Sequence, residues 1–123
     1  MSANNTLNMF KFDRNSVAFS AGTTIFEQDD AATVMYVIQS GEVEILINDQ
    51  LIETVGPGGF FGEMALVDSS PRSGKAVAKS DCQLVPIDEN SFLNHVHATP
   101  FFALQVMREL VHRIRHLNEA VTD

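Results

Sequence analysis

The sequence predicts a mainly β protein, in which a jelly-roll-like antiparallel β-roll is followed by a short helix and a longer C-terminal helix. Two observations support this fold class. From about residue 16 to residue 87, apolar and polar residues tend to alternate, and clusters of Gly, Pro, Asn and Asp interrupt them about every ten residues. From about residue 88 to residue 121, the apolar residues recur at helical spacings of three and four.

Length and charge restrict the possible functions. The chain has 123 residues, the length of one domain with a single core, so we expect one domain over residues 1–123 without a DNA-binding output domain. Its formal net charge is −8, and a negative field repels polyanions, so no nucleic acid partner is expected. Arg108, Arg113 and Arg115 lie close together, but acidic residues lie beside them, which favours a solvated helix face over a basic patch; they are Glu109, Glu119 and Asp123.

The sequence also indicates where the protein is found. It has no apolar run of the roughly eighteen residues that a membrane span needs, and its polar N-terminus does not resemble a signal peptide. Cys82 is the single cysteine, so no internal disulfide can form. We therefore expect a cytoplasmic protein with no membrane partner.

Two hairpins are predicted in the middle of the β region. Val34, Tyr36 and Ile38 lie on one face of a strand, and a Ser-Gly turn follows it. The next strand directs its branched apolar residues inward, namely Val43, Ile45 and Ile47. The "NDQ" segment at residues 48–50 then predicts a second tight turn.

Two helices are predicted after the β region. Asp88 is expected to cap the short helix, and Pro100 is expected to open the long one. One apolar stripe of the long helix is expected to pack as core, and it contains Met107, Leu110, Ile114, Leu117 and Val121. Because the stripe is a partial heptad, a dimer seam is the alternative.

The segment "GGFFGEMALVDSSPRSGKAVA" at residues 58–78 carries the candidate site. Gly58 and Gly59 allow a tight turn, "GEMAL" favours one helical turn, and Pro71 interrupts before extended structure resumes. The free N–H groups of a short helix attract an anion, and the Arg72 fork matches phosphate oxygens. These features predict a phosphate cradle at Arg72.

A carboxylate beside a phosphate site needs a hydrogen-bond donor, and a ribose 2′-hydroxyl would supply one to Glu63. The Ser73 hydroxyl can add one more hydrogen bond. Small residues let the backbone close around a compact ligand, and they are Gly62, Ala65, Ser73, Gly74 and Ala76. The segment therefore predicts a site for a phosphate and a ribose in one small molecule.

At these residues the chain resembles the cyclic nucleotide-binding domains of the catabolite activator and kinase regulatory subunit type. "FGEMAL" followed by "PRSGKAVA" is similar to the phosphate-binding cassette of that family, and "MYVIQSGEVEI" is similar to the preceding hairpin. The resemblance extends over roughly residues 17–117. It implies a regulatory module that binds cAMP, or alternatively cGMP, without a further cofactor. We expect cAMP because it is the more prevalent ligand in the family.

The resemblance also implies roles for individual residues. Arg72 is expected to bind the cyclic phosphate, and Glu63 is expected to bind the ribose 2′-hydroxyl. Ser73 stands where the family has Ala, Thr or Ser. The other expected ligand-binding residues line the cradle, and they are Phe61, Gly62, Met64 and Ala65.

In the family, a long helix packs over the base as a lid. Arg113, Leu117 and Asn118 fall near that position, so Leu117 is expected to cover the purine and Asn118 to read its edge. Arg113 is expected either to approach the phosphate or to pair with Glu63. Such a lid helix would transmit occupancy to a protein partner, or to a second copy of the chain through the same helix.

Several alternatives compete with this interpretation. Glu63 and Arg72 could form a structural ion pair, and the domain could be a degenerate β-roll that acts as an interaction scaffold without nucleotide. His112 and His116 have the spacing of metal ligands on a helix, but no third ligand is evident. "HVH" at residues 95–97 is similar to a cupin metal motif but falls in a predicted helix. No metal site is expected, and without a visible nucleophile–base set no enzyme is expected either.

Overall fold

The computed structural model describes the backbone of residues 8–122 and the side chains of residues 9–116. Within these residues, two four-stranded antiparallel sheets are followed by two longer helices. The strands are β1 (Val17–Phe19), β2 (Thr24–Phe26), β3 (Met35–Ser40), β4 (Val43–Ile47), β5 (Gln50–Val55), β6 (Phe60–Phe61), β7 (Lys75–Ala78) and β8 (Cys82–Ile87). The helices are a 3-10 turn at Asn8–Phe10, α1 (Met64–Val67), α2 (Glu89–Ala98) and α3 (Phe101–Thr122).

The strands pair mostly with strands that are distant in sequence. The first sheet has the order β1-β8-β3-β6, and the second has the order β2-β7-β4-β5. Every pairing is antiparallel, so the chain winds into a roll in which each sheet receives strands from both ends of the β region. This antiparallel roll with C-terminal helices confirms the predicted fold class.

The two predicted hairpin turns are both present. Gly41 lies between β3 and β4 with a φ of 85°, and a Cβ at this position would clash with the carbonyl oxygen of Asp81. Asn48 and Asp49 connect β4 to β5 with φ values of 51° and 66°, the left-handed conformation that a two-residue hairpin loop requires. Residue type at these turns therefore determines where the strands reverse.

The first sheet is buried on both faces. One hydrophobic core fills the space between the two sheets, and its buried members are Ile38, Val43, Val55, Phe61, Ala76, Ala78, Cys82 and Leu84. The second core lies between the first sheet and the helices, and its buried members are Phe10, Met35, Val37, Phe60, Val85, Ile87, Phe102 and Val106. Consecutive residues of β3 therefore face different cores. Because both faces of the strand are apolar, an alternating pattern cannot show that both are buried.

The helices begin where the sequence predicts, but α3 buries a different face. The Asp88 side chain accepts a hydrogen bond of 2.8 Å from the Ser91 N–H, which confirms the predicted cap. Leu110 packs partly against the core, whereas Met107 and Ile114 are 54% and 57% exposed. The predicted stripe is therefore wrong for these two residues, because the roll receives the neighbouring face that contains Phe102 and Val106. The side chains of Leu117 and Val121 lie outside the described residues.

Candidate functional site

Gly62 connects β6 to α1 at the start of the candidate site. Its φ is 77°, in the left-handed region that favours glycine. A Cβ at Gly62 would lie 2.6 Å from Nη1 of Arg72, so any side chain here would displace the arginine. Both the backbone and the position of Arg72 therefore require glycine.

The predicted helical turn is α1, which is four residues long. Glu63 occupies its N-cap position with helical φ and ψ and without a side-chain cap. The Ala65 N–H donates to the Gly62 carbonyl at 3.3 Å, and the Leu66 N–H donates to the Glu63 carbonyl at 3.0 Å. These two donors are not free for an anion, contrary to expectation, because helical geometry already begins at Glu63.

The loop after α1 fixes the backbone of Arg72. Oδ1 of Asp68 accepts a hydrogen bond of 3.0 Å from the Ser70 N–H, and this bond lowers the pKa of the Asp68 carboxyl. The Arg72 N–H donates to the Asp30 carbonyl, and the Asp29 N–H donates to the Arg72 carbonyl, both at 2.8 Å. The Arg72 backbone is therefore held against the loop between β2 and β3.

The Arg72 guanidinium is buried in the wall of the roll. Arg72 is 7% exposed, Nη1 donates to the Gly62 carbonyl at 3.1 Å, and Nη2 donates to the Val34 carbonyl at 2.7 Å. Its Cζ lies 4.0 Å from the centroid of the Phe26 ring, and Nε is buried without a hydrogen-bond partner. Burial lowers the pKa of the guanidinium, and the nearby charges of acidic side chains oppose that shift.

Arg113 ties α3 to the site. Its Nη1 lies 3.3 Å from Oε1 of Glu63, and its Nε lies 3.2 Å from Oε2 of Glu109 and 3.7 Å from Oε2 of Glu53. Nη2 donates to the Phe60 carbonyl, and Cζ lies 4.5 Å from the Phe60 ring centroid. One side chain therefore connects α3 with β5, β6 and the start of α1.

These contacts correct two expectations. Arg108 and Arg115 are exposed as predicted, but the Arg113 side chain is only 15% exposed because the three carboxylates and the Phe60 carbonyl surround it. Among the described residues, Glu63 pairs with Arg113 and not with Arg72. A structural Glu63–Arg72 ion pair is thus not what holds the cassette together.

A cavity of about 170 Å³ lies beside these groups. Arg113 borders it from α3, and all seven predicted cassette residues line it, namely Phe61, Gly62, Glu63, Met64, Ala65, Arg72 and Ser73. The side chains of Leu117 and Asn118, predicted to contact the base, lie outside the described residues. The structure brings the cassette residues to one cavity, while their roles toward a ligand stay predictions.

The sequence did not reveal most of the opposite wall. Apolar side chains of the second sheet form it, and they are Phe26, Ile45, Ile47 and Ile52. Ile47, which was predicted to face inward, borders the cavity but is 36% exposed and belongs to neither core. Glu53 was also missed, because no local pattern distinguishes a carboxylate at a cavity from one in solvent. The i,i+4 spacing of Glu109 and Arg113 was a usable signal for that ion pair.

A second cavity of about 360 Å³ lies between β5 and α3. It shares Ile52, Glu53 and Arg113 with the first cavity, so the two adjoin at Arg113. His112 and His116 border it from α3. Together the cavities form a cleft that runs from the cassette to the underside of the long helix.

Other reactive side chains are present along the described part of the chain. There, no three His, Cys, Asp or Glu side chains come together as a set of metal ligands. The described helices include none with the length and apolarity to cross a membrane. Cys82 is buried, and burial raises the pKa of its thiol.

Comparison with known proteins identifies the family. Residues 16–98, more than half of the chain, match the sequence profile of the cyclic nucleotide-binding domain. The chain belongs to the cyclic nucleotide-binding domain family. This confirms the resemblance seen at the cassette and hairpin, and it makes the protein a member of a regulatory, typically non-catalytic family.

Among curated proteins, this cyclic nucleotide-binding domain is similar to the cAMP-dependent protein kinase regulatory subunit of Eremothecium gossypii. The two sequences are 40% identical over 73 residues, which is 59% of this chain. The match covers 16% of the relative, so this chain spans only a small part of that protein's length.

Solved structures share the fold. The Thermus thermophilus catabolite activator protein matches with a TM-score of 0.79 and 25% identity, over 95% of this chain and 57% of that one. The EAL enzyme Bd1971 in a half-site-occupied form matches with a TM-score of 0.65 and 33% identity, over 84% of this chain and 96% of that one. Structures of Bd1971 described as cAMP-bound and cGMP-bound match at 32% and 29% identity.

Proposed function

We propose that this domain is a sensor of a cyclic nucleoside monophosphate, with cAMP as the first candidate, and that it signals through movement of α3. It acts as a binding module and not as an enzyme, in the cytoplasmic location expected from the sequence. The observation that carries the proposal is the environment of the Arg72 side chain. Its side chain is buried, and among the described residues no carboxylate lies within ion-pair distance of it.

A buried cation without a direct ion pair is unfavourable unless something compensates it. The carbonyls of Gly62 and Val34 accept hydrogen bonds from Arg72, but they carry no net charge, and Nε has no acceptor. A cyclic phosphate in the adjoining cavity would supply both a negative charge and acceptor oxygens. A degenerate scaffold, the alternative, gives no reason to keep a buried guanidinium at the edge of a cavity.

The shape of the cleft then indicates where the ribose and the base would bind. Glu63 would accept a hydrogen bond from the 2′-hydroxyl beside its contact with Arg113, since a carboxylate has several acceptor sites. The first cavity has about 170 Å³, less than the roughly 300 Å³ at which ligand pockets usually begin. We infer that the base extends past Arg113 into the second cavity, beneath α3, where Leu117 and Asn118 are its predicted contacts.

The choice of nucleotide rests on the relatives. The 40% identical relative is named a cAMP-dependent regulatory subunit, which supports cAMP. Because Bd1971 is described in both cAMP-bound and cGMP-bound forms, cGMP is the alternative ligand. For the signalling partner, we propose a second copy of this chain, which would contact the exposed apolar face of α3.

The decisive experiment is calorimetric titration of the protein with cAMP and cGMP. Arg72→Ala removes a charge-assisted hydrogen bond to phosphate, so binding should weaken at least about tenfold. Arg115→Ala, which removes an exposed arginine of α3, is the matched control and should bind like the wild type. Unchanged affinity in Arg72→Ala would refute the phosphate role, and no binding by the wild-type protein would refute the proposed function.

The ribose contact is tested with a pair of ligands. Glu63→Gln should weaken cAMP binding but leave 2′-deoxy-cAMP binding nearly unchanged, because only cAMP offers the hydroxyl. The comparison removes any general effect of losing the Arg113 contact, which both ligands would share. Equal losses for the two ligands would exclude Glu63 from the ribose site.

A further inference from the structure

Phe26 lies directly against the Arg72 guanidinium on the inside of the roll. The distance from Arg72 Cζ to the centroid of the Phe26 ring is 4.0 Å, well within the range of a cation–π contact. Phe26 also borders the cassette cavity. The ring therefore contacts the buried arginine at the place where the proposed phosphate would bind.

The local backbone explains how Phe26 reaches this position. The pairing of β2 with β7 shifts register between Thr24 and Phe26, and a bulge of this kind turns a side chain away from strict alternation. As a result, Ile25 and Phe26 both pack against the core between the sheets, although they are consecutive. A regular strand would place only one of them inside.

Two further rings hold Phe26 in place. Phe26 and Tyr36 are stacked with centroids 6.3 Å apart, and Tyr36 and Phe61 are stacked at 5.4 Å. Phe61 also lies 5.9 Å from Phe26. Tyr36 and Phe61 are partners in the β3–β6 ladder, so the cluster bridges the two sheets and limits the motion of the Phe26 ring.

We propose that Phe26 is a positioning residue for Arg72: the face of its ring holds the guanidinium in the cavity wall and prepares it for phosphate. This inference rests on the proposed function, because it assigns Phe26 a part in that binding event. The ring attracts the cation without neutralising it, so the charge stays available to an anion. Carboxylate pairing would hold the arginine equally well but would cancel that charge.

The test replaces Phe26 with monofluoro-, difluoro- and trifluoro-phenylalanine. Fluorine withdraws electron density from the ring face with little change in shape, so cAMP affinity should fall stepwise, by about threefold or more at the trifluoro ring. The same series at Phe19 is the matched control. Phe19 packs on the same core and contacts the Tyr36 ring at 6.4 Å but does not border the cassette cavity. Fluorination there should leave affinity unchanged.

A second measurement does not depend on ligand binding. The stability of the ligand-free protein is measured for each Phe26 ring with Arg72 present and with Arg72→Met. If each added fluorine lowers the stability when Arg72 is present but not in the Arg72→Met protein, the Phe26–Arg72 contact is supported. If fluorination changes the stability in neither protein, the contact is excluded. If the wild type binds cAMP and the Phe26 series binds equally well, the inference fails while the proposed function stands. If neither the wild type nor any variant binds cAMP, the proposed function fails. The stability measurements on the ligand-free protein still decide whether the Phe26 ring holds Arg72.

Discussion

At the scale of single residues, buried Arg72 and partly buried Arg113 have opposite surroundings. Arg72 contacts two carbonyls and an aromatic ring, whereas Arg113 lies within 4 Å of Glu53, Glu63 and Glu109. The first charge is uncompensated by a direct ion pair, and the second is more than compensated. This contrast suggests different tasks, since Arg72 can attract an anion and Arg113 fixes the helix against the roll.

We predict that Arg113→Ala destabilises the protein by about 1.5–3 kcal/mol, the range for lost hydrogen bonds to charged groups. The cause is Glu109, which is 8% exposed and would lose its cationic partner. Arg115→Ala, two positions along the same helix and exposed, should change stability by no more than about 0.5 kcal/mol. Urea unfolding at one protein concentration measures both, and equal effects would show that the Arg113 contacts do not stabilise the fold.

At the scale of elements, the sequence predicted the parts that local chemistry determines. The Asn48–Asp49 turn and the Asp88 cap are each determined by residues within a few positions, and both are present. The exposure of Met107 and Ile114 was not predictable, because α3 has apolar residues on two faces and its sequence alone does not indicate which face packs against the roll. Of the Arg113 contacts, the pair with Glu63 was one of the two expectations drawn from the family resemblance and is present, whereas the contact with Glu53 was not predicted because Glu53 is distant in sequence.

The helix α3 is proposed to act as a lid over the bound nucleotide. A ligand can move the helix only by binding one of its positions better, so shortening the helix must cost affinity. We predict that removal of residues 114–123 weakens cAMP binding at least about fivefold, because the proposed base contacts are lost. We also predict that cAMP slows amide hydrogen exchange in α3 as well as in residues 62–73.

The control for this prediction separates the lid from the exposed face. Arg115→Ala keeps the helix at full length and removes only an exposed side chain that borders neither cavity, so its cAMP affinity should stay near that of the wild type. Slowed exchange in residues 62–73 alone, together with full affinity of the shortened chain, would mean that α3 is only a scaffold.

At the scale of the whole molecule, α3 presents an unpartnered apolar face with a heptad spacing. Leu104, Met107, Val111 and Ile114 are 39%, 54%, 46% and 57% exposed, and they follow each other at intervals of three, four and three. In this register Leu104 and Val111 share one seam position, and Met107 and Ile114 share the other, as in the apolar seam of a two-stranded coiled coil. These features fit a second copy of the same helix better than an unrelated partner.

We therefore predict that the protein forms a homodimer through α3, and that Met107→Glu with Ile114→Glu converts it to a monomer. Each copy carries a net charge of −8, so the two repel each other at long range, and added salt should strengthen the dimer by screening. Leu93→Glu is the matched control, because Leu93 on α2 is 54% exposed like Met107 but lies outside the seam. Sedimentation equilibrium over a range of protein and salt concentrations measures the association. A wild-type monomer at all concentrations, or equal weakening by Leu93→Glu, would exclude the α3 seam, and the exposed face would then have to meet a different protein.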